Sequence, residues 1–172
     1  MSAVIESHHD DHHHGPAKGF SRWLYTTNHK DIGSLYLWFS FIMLFVGGAM
    51  AMVIRAELFE PGSQIVSPEF YNQMVTNHGL IMVFGVIMPA FVGLANWMIP
   101  MQIGAPDMAL PRLNNLSFWI LPAAFGVLLS TFLMEGGAPN FGWTFYAPLS
   151  TEYAPPTVTF FIFSVHIMGA SS

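Results

Sequence analysis

His78 stands in VTNHGLIMVFG, inside a strongly apolar stretch. An ionisable side chain in such a place is costly and marks a functional position by default. Neutral imidazole is a good ligand for haem iron. At helical spacing Ile81, Met82 and Gly85 share its face, and Gly79 and Gly85 nearby would let a flat macrocycle approach the backbone. The alternative is a histidine that hydrogen-bonds a neighbouring helix, because buried polar groups usually satisfy one another. Arg55 ends the preceding apolar stretch and is expected at similar depth on the adjacent helix. A guanidinium there can donate to a polar substituent of a cofactor held by His78. Alternatively it snorkels toward Glu57 or a lipid phosphate.

A second set of residues follows in MIPMQIGAPDMALPRLNNLSFW. Its three prolines suggest a loop of fixed shape. Asp107 lies near the middle, and Asn114, Asn115 and Ser117 lead into the next apolar stretch. A carboxylate at a membrane face with a trail of amides and a hydroxyl can feed a water-filled proton path. The competing reading is an Asp that caps a helix. Asn96 comes eighteen residues after His78, five turns at 3.6 residues each, so it is expected on the same face near the other end. His29, in TNHKDIG, reads as interfacial, and His166 as a hydrogen-bonding helical residue.

These residues need elements to hold them. The chain has 172 residues, 53% hydrophobic and only 9% charged, against about 25% charged in a soluble domain. Lipid is the expected solvent. Apolar stretches cover about 32–54, 74–99 and 116–134, each of spanning length, and a fourth begins near 157. The fourth is expected to continue past Ser172, because sixteen residues rise about 24 Å of a roughly 30 Å core. The expected fold class is all-α, a polytopic transmembrane helix bundle with three spans and the start of a fourth. Residues 1–18 read as a disordered, His-rich cytoplasmic tail, with divalent-metal binding as the alternative. Residues 19–172 form the membrane domain. Lys18, Arg22 and Lys30 precede the first span, and Arg112 lies between the second and third. This puts the N-terminus and the 100–115 loop in the cytoplasm. There is no cysteine and no apolar leader in the first thirty residues. Five basic residues exclude a nucleic-acid-binding surface.

Seven strings carry a resemblance: TTNHKDIG, MVIRAEL, TNHGLIMVF, NWMIP, IGAPDMALPRLNN, FGWTFYAPLS and the HIMGASS ending. Together, over about residues 20–172, the chain resembles the start of subunit I of the A-type haem–copper oxidases. The resemblance implies a twelve-helix redox pump of the bacterial plasma membrane, of which this chain is an N-terminal part. Electrons from cytochrome c reach a low-spin haem A, and then a high-spin haem and copper where oxygen becomes water. A quinol-oxidising member of the family and a non-catalytic membrane module are the alternatives. The implied partners are the remainder of subunit I, subunits II and III, cytochrome c and membrane lipid. By the resemblance, His78 is an axial ligand of the low-spin haem and Arg55 bonds that haem's formyl group. Asp107 opens the D proton pathway, with Asn96, Asn114, Asn115 and Ser117 lining its lower part and His29 and Tyr36 beside it. Trp143 and Tyr146 pack near the oxygen-binding haem. Glu57, Gly62 and Gln64 match a calcium or sodium site found in some members. Met168 departs from relatives that have a small hydroxyl residue on the upper proton path. The other haem and copper ligands are expected downstream of this chain.

Overall fold

Long runs of Leu, Ile, Phe, Met and Gly with almost no charge form helices, because only an internally hydrogen-bonded backbone survives in hydrocarbon. The computed structural model describes residues 19–171, and every regular element among them is helical. The tail assigned to 1–18 and its metal-binding alternative lie outside the described residues, as does Ser172. The elements are α1 (Phe20–Tyr25), α2 (His29–Glu57), α3 (Pro68–Leu80), a π-helical stretch (Ile81–Ile87), α4 (Met88–Ile103), α5 (Pro111–Ser130) and α6 (Val158–Ser171). Three helical runs are long and apolar enough to cross a membrane: His29–Glu57, Pro68–Ile103 and Pro111–Leu133. The all-α, polytopic expectation therefore holds.

Each run is longer than the apolar stretch that announced it, because polar flanking turns are helical too. Helix α2 starts where Asn28 Oδ1 accepts the Lys30 N–H at 2.8 Å. The Arg22 guanidinium grips Asp31 with two bonds, Nη2 to Oδ1 at 2.7 Å and Nε to Oδ2 at 3.1 Å, tying α1 to the first turn of α2. Helix α3 starts six residues before the expected Met74, at a Ser67 cap followed by Pro68 in the first turn.

The π-helical stretch has an identifiable cause. Pro89 has no N–H, and its ring would collide with the carbonyl four residues back in a regular helix. The backbone widens instead, and the Met88 N–H reaches Val83 O, five residues back. Ser40 Oγ donates to Val86 O at 2.8 Å, giving a carbonyl of this stretch a partner on α2.

Helix α2 packs on α3, the π stretch and α4, while α5 packs on α6. The α2–α4 contact is backbone to backbone. A Cβ on Gly33 would lie 2.9 Å from Gly93 O, and one on Gly93 2.9 Å from Gly33 O. Close approach at small residues is how helices gain dispersion energy when lipid offers no hydrophobic drive. The core between α2, the π stretch, α5 and α6 holds Ile32, Tyr36, Met43, Ile81, Phe125, Leu128 and Phe161. Rings meet edge to face, with Tyr36 and Phe118 centroids 5.1 Å apart and Phe39 and Phe125 5.4 Å apart. Gly85 faces this core: a Cβ there would sit 3.0 Å from the Phe125 ring. It is a packing glycine, and not part of an open face beside His78 as expected.

Candidate cofactor ligand and polar track

His78 sits near the end of α3, partly buried, with Nδ1 2.9 Å from Gly47 O of α2. A carbonyl only accepts, so Nδ1 carries the proton. The tautomer is thereby set, and the Nε2 lone pair is left for a ligand. Metal-bound histidines are held this way by the hydrogen bond of the other ring nitrogen. A Cβ on Gly48 or on Gly79 would meet nothing within 4 Å. A histidine held through Nδ1 with Nε2 free fits a metal-centred group seated on Nε2. The hydrogen-bonding alternative for His78 is satisfied by the same geometry, since one ring nitrogen bonds the neighbouring helix and the other stays free.

Arg55 lies eight residues beyond Gly47, about 12 Å further along α2, so it stands two turns outward of His78 and not level with it. It is exposed and makes no ion pair among the described residues. Glu57 is not its partner. Glu57 Oε1 accepts the Gln64 N–H at 2.9 Å, and Oε2 accepts those of Ile65 and Val66 at 2.9 and 3.0 Å. Gln64 Nε2 donates to Pro61 O at 2.7 Å. Glu57, Gly62 and Gln64 share one loop, but there the carboxylate closes a turn. Glu57 is the one carboxylate among these three residues. Trp143 and Tyr146 are exposed in the loop between α5 and α6.

The second set of residues forms a connected track. Asp107 Oδ1 accepts the His29 N–H at 3.2 Å and the Met108 N–H at 2.7 Å. The capping alternative is thus present in the fold: Asp107 caps α2 from seventy-eight residues away. Its Oδ2 receives no hydrogen bond among the described residues. His29 is buried, and its Nδ1 donates to Asn96 O at 2.7 Å. That carbonyl is available because Pro100, four residues on, has no N–H to give it. Asn114 Nδ2 donates to Asn96 Oδ1 at 2.6 Å. Ser117 Oγ donates to Asn114 O at 2.8 Å, so its single proton is spent. Tyr36, 2.9 Å away, must then be the donor in the Tyr36–Ser117 bond. Asn115 stands apart from the track, its Nδ2 buried without a partner among the described residues.

Beyond Tyr36 lies a cavity of about 150 Å³, lined by Tyr36, Phe84, Met88, Val92, Met168 and Ser171. Met168 therefore turns an apolar side chain toward the space that the track opens on. His166 is exposed and donates from Nδ1 to Ile162 O at 2.8 Å, as expected for a helical histidine. Two residues of the His78 region escaped sequence reasoning, Thr76 and Asn77. Both are buried polar groups bonded to the outer loop. Their signal was two hydrogen-bonding side chains immediately before the histidine.

The family model described as cytochrome c and quinol oxidase polypeptide I matches residues 31–172. Cytochrome c oxidase subunit 1 of Corynebacterium diphtheriae is 46% identical over 162 residues, covering 92% of this chain and 29% of the relative. The proteins of the same description from Corynebacterium efficiens and Corynebacterium glutamicum are each 48% identical, over 82% and 81% of this chain and 25% and 24% of theirs. The chain spans between about a quarter and three-tenths of these relatives' length. Match and identity agree with the motif order and the helical architecture: the chain belongs to the cytochrome c and quinol oxidase polypeptide I family.

Proposed function

We propose that this chain forms part of the haem-bearing subunit of a proton-pumping terminal oxidase, supplying one axial ligand of the low-spin haem and the cytoplasmic mouth of a proton path. The observation that carries the reading is the Nδ1–Gly47 bond of His78, which leaves Nε2 free. The haem, of the A type, supplies reversible one-electron chemistry when bound. His78 fixes its position through Nε2, and Nδ1–H donating to a carbonyl raises the ligand's basicity. Arg55 would donate to a polar substituent of the haem. Asp107 takes protons at Oδ2 from water at the cytoplasmic face, while Oδ1 stays fixed on α2. The Asn96–Asn114–Ser117–Tyr36 track leads inward from there. Asn115 lies beside it.

In the complete enzyme, electrons pass from cytochrome c to oxygen, forming water. The high-spin haem, the copper, the second axial ligand and subunits II and III come from outside this chain. The relatives described as cytochrome c oxidases favour that donor over quinol. Lys30 and Arg112 on one side of the bundle support a cytoplasmic N-terminus in a bacterial plasma membrane. Trp143 and Tyr146, exposed on the outer loop, face the remainder of the subunit near the oxygen-binding haem. Calcium is left out of the proposal, because three backbone N–H groups already bind the Glu57 carboxylate. The test is His78→Ala in the full-length protein. Its reduced-minus-oxidised spectrum should lack the low-spin band, and an intact band refutes the ligand assignment.

A further inference from the structure

We propose that Asn77 is a positioning residue that sets the rotation of the His78 imidazole by fastening its helix to the outer loop; this rests on the haem-ligand reading of His78. Asn77 is fully buried, 0% exposed. Its Nδ2 donates to Gln73 O at 2.8 Å on its own helix and to Pro139 O at 3.1 Å on the loop. The amide orientation is settled, because both contacts are carbonyl oxygens and a flipped amide would set oxygen against oxygen. Pro139 is itself fully buried, so its carbonyl depends on this donor.

The fastening has neighbours that act with it. The Gly142 N–H donates to Thr76 Oγ1 at 3.0 Å. Gly137, at φ +72°, runs so close to Gln73 that a Cβ would overlap its side-chain amide. Residues 137–142 thus lie flat on the turns that precede His78. Consecutive residues of a helix point about 100° apart. Asn77 therefore grips the loop while His78 grips Gly47 O of α2. Two polar contacts in different directions hold α3 against rotation about its axis. Rotation would swing Nε2 and turn the imidazole plane.

The experiment uses the full-length enzyme in membranes, with Asn77→Leu, which keeps the bulk and removes the donor. The readouts are the principal g values and midpoint potential of the low-spin ferric haem, since the g values report the orientation of the axial imidazole planes. Protease sensitivity of the 137–142 loop is followed in parallel. Asn77→Leu should retain the low-spin haem, shift its g values and potential, and raise loop cleavage several-fold. Asn77→Gln, which keeps an amide donor, should move both spectroscopic values back toward wild type. Thr76→Val loosens only the Gly142 contact and should shift them in the same direction by less. Wild-type g values and potential in Asn77→Leu overturn the proposal, and so do wild-type values in Thr76→Val with a loosened loop should Asn77→Leu fail to assemble. A low-spin haem that survives His78→Ala would instead refute the underlying ligand reading.

Discussion

Gly48 follows the residue whose carbonyl holds the His78 ring. Because a Cβ on Gly48 meets nothing within 4 Å, the fold itself does not need glycine there. Leucine in place of glycine favours a helix by about 0.5–1 kcal/mol. Gly48→Leu should therefore insert and accumulate normally while its low-spin haem content falls several-fold, measured by spectrum against immunoblot. Undiminished haem in that variant would show that the open face is not where the cofactor lies. Asp107 combines two tasks on its two oxygens. Asn caps about as well as Asp, so Asp107→Asn preserves the contact with His29 and removes only the exchangeable proton and charge. Turnover should fall by roughly tenfold or more and pumping should cease with haems retained. Oxygen consumption and proton release on the same reconstituted vesicles measure both, and wild-type values would sink the proton-path assignment.

At the scale of elements, three prolines explain features that hydropathy does not. Pro89 opens the π-helical stretch, Pro100 frees the Asn96 carbonyl for His29, and Pro68 starts α3 above the apolar stretch. The Pro100–His29 link is testable as a cycle. His29→Leu strands a buried carbonyl and should cost about 1–3 kcal/mol. In a Pro100→Ala background the helix supplies its own N–H, and the same change should cost much less. Equal losses in both backgrounds, from thermal or denaturant melts, would dissociate the two residues. The Glu57 turn gives another test. Glu57→Gln should raise proteolysis of the loop after α2 several-fold, and a chelator should leave the wild-type loop unchanged. Chelator-induced cleavage would restore a cation to the site.

The same elements show what was readable beforehand. His78, Arg55 and Asp107 were visible as polar types in apolar or loop settings, and three of the helical runs as stretches of spanning length. The π-helical stretch was not, because it arises from one missing N–H acting on a carbonyl four residues earlier inside an otherwise regular pattern. The burial of His29 and the role of Asn77 were not, because their partners lie sixty-two to seventy-eight residues away along the chain. Such pairings are tertiary facts, invisible to any local window.

For the molecule as a whole, the described residues leave large apolar side chains exposed along every long helix, among them Trp38, Phe45, Phe91 and Leu116. Lipid and the remainder of the subunit are the surroundings that such a surface fits. Arg55, Trp143 and Tyr146 are exposed as well. The central claim is that a haem iron sits on Nε2 of His78. A density map of the full-length enzyme purified from native membranes tests it most directly. A flat macrocycle lying over Gly48 and Gly79, with its metal at bonding distance from Nε2 and the Nδ1–Gly47 bond intact, is the predicted result. A protein helix packed on that face, or a histidine with no metal at Nε2, would contradict it.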